Sequence, residues 1–139
     1  MTESGTFAVP VIFYQPGSTL LRGHIDAISQ QIDIMPTVLN YLGYNQPYLS
    51  FGCDLLNTPA GQTYAVNYVN GVYQYHKGHY LLQFDGAKTV ALYDFVSDKL
   101  LERNLAGTLP DIQEPMENEL KAIIQQYMQR MNTDKLVYE

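Results

Sequence analysis

The chain has no tryptophan, a single cysteine and few basic residues, and these shortages narrow the classes of protein it can belong to. One cysteine, Cys53, cannot close an internal disulfide, so no disulfide framework holds the fold and cysteine usage does not report the compartment. Cys53 lies between Gly52 and Asp54 with no histidine nearby, the setting of a partly buried structural thiol rather than of a nucleophile. Eight Lys and Arg stand against fourteen Asp and Glu, a net charge of −6 with no basic stripe to neutralise phosphates, so nucleic acid is not expected as a partner. The longest apolar runs, such as residues 9–14, fall well short of the ~20 residues that cross a bilayer, and residues 1–6 carry no basic stretch of the kind that opens an export signal. Nothing in the chain is therefore expected to span a membrane or direct export. There is no Gly-rich phosphate cradle, no G-x-S-x-G elbow, no H-E-x-x-H pair, no internal repeat and no low-complexity tract, which sets aside nucleotide, serine-hydrolase, zincin, solenoid and disordered readings.

What is present suits one soluble unit. At 139 residues the chain can bury a single core. Its twelve tyrosines have an apolar body and a polar tip, a composition for half-buried strands or a broad docking surface.

The chain is organised around residues 29–43, S-Q-Q-I-D-I-M-P-T-V-L-N-Y-L-G. Asp33 is expected as the N-cap of a short helix, accepting from a first-turn amide and facing the positive end of the helix dipole. Pro36 falls in the first turn, where a missing N–H costs nothing. Ile34, Val38, Leu39 and Leu42 recur at helical spacing and predict an apolar face. Gly43 ends the helix in the left-handed conformation. So short a helix is marginal by itself, so that face is expected to be buried.

In chain order, residues 1–8 are polar and read as a frayed end. Val9-Pro10-Val11-Ile12-Phe13-Tyr14 predicts a strand buried on both faces, stopped by Gln15-Pro16-Gly17-Ser18. The loop that follows carries Arg22, His24 and Asp26. His24 and Asp26 stand two residues apart, where a carboxylate can orient an imidazole for proton transfer, and they are the substrate-proximal candidates against the plainer reading of a solvated loop. From residue 62 four strands follow, joined by Asn70-Gly71, Lys77-Gly78 and Asp85-Gly86, an antiparallel meander. In the second strand Tyr73 and Tyr75 are expected to pack, and Val72, Gln74 and His76 to form a wetter face. The cover is a helix over residues 114–131, with Met116, Leu120, Ile123, Ile124, Tyr127 and Met131 inward and Pro115 in its first turn. His76 and His79 flank a turn without the third donor that zinc needs, so no metal is assigned to them.

The run Q-I-D-I-x-P-T-x-L-x-x-L-G, Gln31 to Gly43, resembles a segment toward the C-terminal part of sulfatases and lipoteichoic-acid-synthase-like enzymes of the alkaline phosphatase superfamily. Phe51-Gly52-Cys53-Asp54-Leu55-Leu56 resembles the F-G-x-D-L-L that follows it there. Residues 91–106, A-L-Y-D-F-V-S-D-K-L-L-E-R-N-L-A, resemble the sulfatase passage E-L-Y-D-L-x-x-D-P-x-E-x-x-N-L-A, with Ala91 and Lys99 in place of the Glu and the Pro. The three motifs keep the family's order and spacing over most of residues 9–131.

The resemblance implies an α+β fold: the last strand and helix of an alkaline-phosphatase-like core in residues 9–56, then a four-stranded antiparallel sheet and terminal helix in residues 62–131. It implies the C-terminal structural portion of a metal-dependent sulfuric-ester hydrolase or phosphoglycerol-type phosphotransferase. The Thr, Ser or formylglycine nucleophile and the ligands of the divalent metal (Mn, Mg, Ca or Zn) would lie in a missing N-terminal part, including an Asp-His-Gly just ahead of Val9. This segment would then hold no catalytic residue, cofactor or metal ligand. Ser50-Phe51 stands where some two-metal relatives carry a ligand histidine, pointing to the one-metal, lipoteichoic-acid-synthase-like branch. The parent would be membrane-anchored and extracytoplasmic, and the isolated segment inactive and prone to homo-oligomerise or exchange strands, since a core layer without its partner exposes apolar surface. The alternative from another class is a free-standing tyrosine-rich module binding glycan or peptide at Tyr73 and Tyr75; a third is a plain structural domain.

Overall fold

In the computed structural model, which describes residues 9–138, the second half of the chain builds an antiparallel sheet of four strands in sequence order: β1 (Tyr64–Val69), β2 (Val72–Lys77), β3 (Tyr80–Phe84) and β4 (Thr89–Asp94). The reading of residues 1–8 lies outside the described residues. The strands are where alternation and turn chemistry put them. At the first hairpin Asn70 and Gly71 both take positive φ, 52° and 83°, which matches the right-handed twist of the flanking strands, and Val69 pairs with Val72 across them.

A long helix, α2 (Pro110–Asn132), lies on one face of the sheet. Tyr75, Leu82, Phe84 and Leu92 from the strands and Met116 and Leu120 from the helix form the main buried cluster. The helix begins more than a turn before the expected start at residue 114. Pro110 takes the first helical position, and Pro115 lies inside the helix rather than in its first turn. The extra turn forms because Leu109 and Ile112 pack against the core, while the ring of Pro115 faces water, where the freed carbonyl can be solvated.

The opposite sheet face is not wet, which corrects the expectation for Val72, Gln74 and His76. Gln74 is 5% exposed, and Ala65, Leu81 and Ala91 beside it are buried. His76 packs edge-on against Phe95, ring centroids 5.6 Å apart, in a cleft walled by Val9, Val11 and Ile28 of the N-terminal segment. The sheet is thus covered on both sides, by α2 and by the chain that precedes it.

The β4 edge is closed by residues just downstream. Asn104 Oδ1 accepts the N–H of Leu92 at 3.1 Å, Asn104 Nδ2 donates to the carbonyl of Val90 at 3.2 Å, and the N–H of Leu105 donates to the carbonyl of Leu92 at 2.7 Å. Asn104 acts there as a piece of strand, pairing the edge without extending it.

The N-terminal layer departs most from expectation. Residues 9–14 form no strand, and Ile12 and Tyr14 are about four-fifths exposed (80% and 82%). A run that is apolar on both faces needs a neighbouring strand to satisfy its backbone, and none among the described residues lies beside it. A one-turn 3-10 helix (Gln31–Asp33) leads into α1 (Ile34–Tyr41), and Gly43 ends it with φ 70°. The helix is turned the other way from its periodicity. Pro36 and Thr37 are buried, whereas Ile34, Val38 and Leu42 face outward, Leu42 being 72% exposed.

Candidate functional site

The loop holding His24 and Asp26 lines an open cleft of about 550 Å³ with Arg22 and Leu55. Both residues are exposed, and neither side chain has a hydrogen-bond or ion-pair partner among the described residues. The two-residue spacing does not bring them together as an acid/base pair. Among the described residues no group of three His, Cys, Asp or Glu side chains is placed to hold a metal ion. The donors present here therefore do not fit the divalent metal of the resembled enzymes, and no chemical step can be derived through one.

What the motifs do build is a joint. Asp33 stands at the N-cap position of α1, but its carboxylate makes no cap bond to that helix, which corrects the expected role. It is fully buried and instead accepts the N–H of Gln30 at 2.8 Å on one oxygen and the N–H of Cys53 at 2.7 Å on the other. Thr37, one turn on, donates its hydroxyl to the carbonyl of Asp33 at 2.6 Å and accepts the N–H of Leu55 at 3.0 Å. Asp54 then folds its own turn, accepting from Leu56 N and from the side-chain amides of Asn40 and Asn57. Between these contacts Gly52 lies directly on the backbone of Ile32, where a Cβ would overlap the Ile32 carbonyl and come within 2.8 Å of Asp33 N. Asp33 and Thr37 of the first motif are thus hydrogen-bonded to the backbone of the second, and the glycine of the second is the contact surface for the first.

The electrostatics of the joint follow from its burial. Burial raises the Asp33 carboxyl above its usual range, against the pull of the N–H groups of Cys53 and Gln30. Burial also raises the Cys53 thiol, the Asp33 charge adds to this, and Lys77 opposes it weakly. A thiol held protonated is a poor nucleophile. Tyr64 is raised by burial and by the nearby Cys53, Asp33 and Glu119, and its hydroxyl donates to the carbonyl of Phe51, fastening the joint to β1. On the helix side Tyr75 donates to Glu119 at 2.9 Å, and Lys77 bonds both Glu119 oxygens at 2.6 and 2.7 Å. Burial and the Glu119 carboxylate together push the Tyr75 hydroxyl strongly up. Sequence reasoning missed this triad; the only trace of it was the helical phase that puts Glu119 beside Leu120.

Tyr75 is 1% exposed beneath α2, so it is not available as a ligand-stacking face, which corrects that part of the binding-module expectation. The aromatic surface that is open lies elsewhere. A groove of about 730 Å³ runs between β1, the C-terminal half of α2 and the turn at residues 49–51. Tyr68 and Tyr73 lie 4.6 Å apart by ring centroid on its sheet wall, and Phe51 and Tyr127 meet edge to face at 5.8 Å across it. No Asp, Glu, Lys or Arg lines it. The groove was signalled only by the tyrosine count, because its two walls come from segments some sixty residues apart.

No family model matches the chain, and no curated protein matches it.

Proposed function

We propose that the chain is the C-terminal structural portion of a larger sulfatase-like enzyme of the alkaline phosphatase superfamily. The parent is a metal-dependent sulfuric-ester hydrolase or phosphoglycerol-type phosphotransferase, membrane-anchored and extracytoplasmic, whose nucleophile and divalent metal sit in an N-terminal catalytic part. The observation that carries this reading is the inverted N-terminal layer. Its polar groups are locked inward by Asp33 and Thr37, while Ile12, Leu20, Ile34, Val38 and Leu42 face out. Large apolar side chains left exposed along this layer support reading it as a contact face. The face is assigned to the catalytic part, and residues 9–14 become a strand only when that part supplies a neighbour. Alone, the chain is inert and self-associates through the same face.

The coding sequence ahead of Met1 tests the reading. An Asp-His-Gly close upstream and a Thr, Ser or Cys nucleophile further back are expected, and an in-frame stop codon there would overturn it. As a biochemical check, the purified chain is incubated with p-nitrophenyl sulfate and p-nitrophenyl phosphate and with Mn²⁺, Mg²⁺, Ca²⁺ or Zn²⁺ in turn. No turnover is expected; turnover abolished by His24→Ala would contradict the assignment.

The aromatic groove favours a second reading, a binding module for glycan or peptide. Its volume lies in the ~300–1,000 Å³ range of ligand sites, and aromatic rings with few polar groups are the usual lining. Micromolar binding to a glycan or peptide panel, lost in Tyr68→Ala or Tyr127→Ala with the fold intact, would favour it.

A further inference from the structure

We draw no further inference here: the strongest candidate, the uncharged aromatic groove between β1, the C-terminal half of α2 and the turn at residues 49–51, belongs to the site already described, and nothing in the structure shows what covers it.

Discussion

The Asp33 carboxylate accepts the backbone N–H of Cys53 at 2.7 Å across twenty residues of chain, and this bond decides which way α1 faces. Because Asp33 and Thr37 share one side of the helix and both bond the Cys53–Leu55 backbone, that side must point inward. The apolar side then points out. Asp33→Ala would strand two N–H donors, those of Gln30 and Cys53, at a cost of about 2 to 4 kcal/mol. Asp33→Asn keeps one acceptor oxygen and should recover about half of that. Urea melts of the three proteins measure the difference, and a loss below ~0.5 kcal/mol in the alanine variant would show that the bond does not hold the joint.

Gly52 is the steric half of the same joint. Gly52→Ala places a methyl group into the Ile32 backbone carbonyl, where there is no flexible side chain to give way, and should destabilise by about 2 to 3 kcal/mol. Gly61→Ala, where nothing lies within reach of the new atom, is the control and should be near neutral. Equal thermal midpoints for the two variants would contradict the close approach.

Asn104→Ala should open the β4 edge. It removes the acceptor for Leu92 and Ala106 N–H and the donor to Val90, a loss of about 1 to 2 kcal/mol. The decisive readout is local. Amide exchange at Leu92 should accelerate more than at Leu81, whose strand lies one position further in, and uniform acceleration across the sheet would count against an edge role.

His76 gives a pH dependence with a definite sign. Burial lowers its pKa to about 4 from an ordinary 6.5, so between these values the unfolded chain binds the proton and the folded one does not. The contribution to stability is full above pH 6.5 and is lost as pH falls toward 4, on the order of 3 kcal/mol in all. His76→Gln should flatten that slope. An NMR titration placing the folded imidazole near 6.5 would sink the prediction.

The outward face of the N-terminal layer predicts association of the isolated chain. Light scattering should show a mass that rises with concentration, and the double substitution Ile12→Lys, Leu42→Lys should restore the monomer without lowering the thermal midpoint, since both positions are exposed. A clean monomer of the unsubstituted chain at high concentration would remove the main support for a missing partner layer.

The sheet was legible because its signals are local: Asn70-Gly71 names its turn, and Tyr73 and Tyr75 stand two residues apart on the packed face of β2. The orientation of α1 was not legible. Ile34, Val38 and Leu42 declare an apolar face, but periodicity cannot say whether anything covers it, and the deciding bonds from Thr37 and Asp33 reach residues 53–55. The wet face expected at His76 is absent for the same reason, since Phe95, Val9 and Val11, which lie around it, are distant in sequence. At the candidate site, the two-residue spacing of His24 and Asp26 suits an acid/base pair, but pairing depends on the fold of the loop, which leaves both side chains exposed and with no hydrogen bond between them.

The Asn104 clamp has a bearing on how molecules of this kind can accumulate. Stacking sheets end to end into a fibre requires two receptive margins per molecule, one to offer and one to receive. With β4 occupied by its own downstream chain, and Val66 N–H on β1 already held by the Gln30 side chain, neither margin is fully receptive. Crowded molecules should therefore clump through their greasy flank into finite assemblies and stop short of filaments.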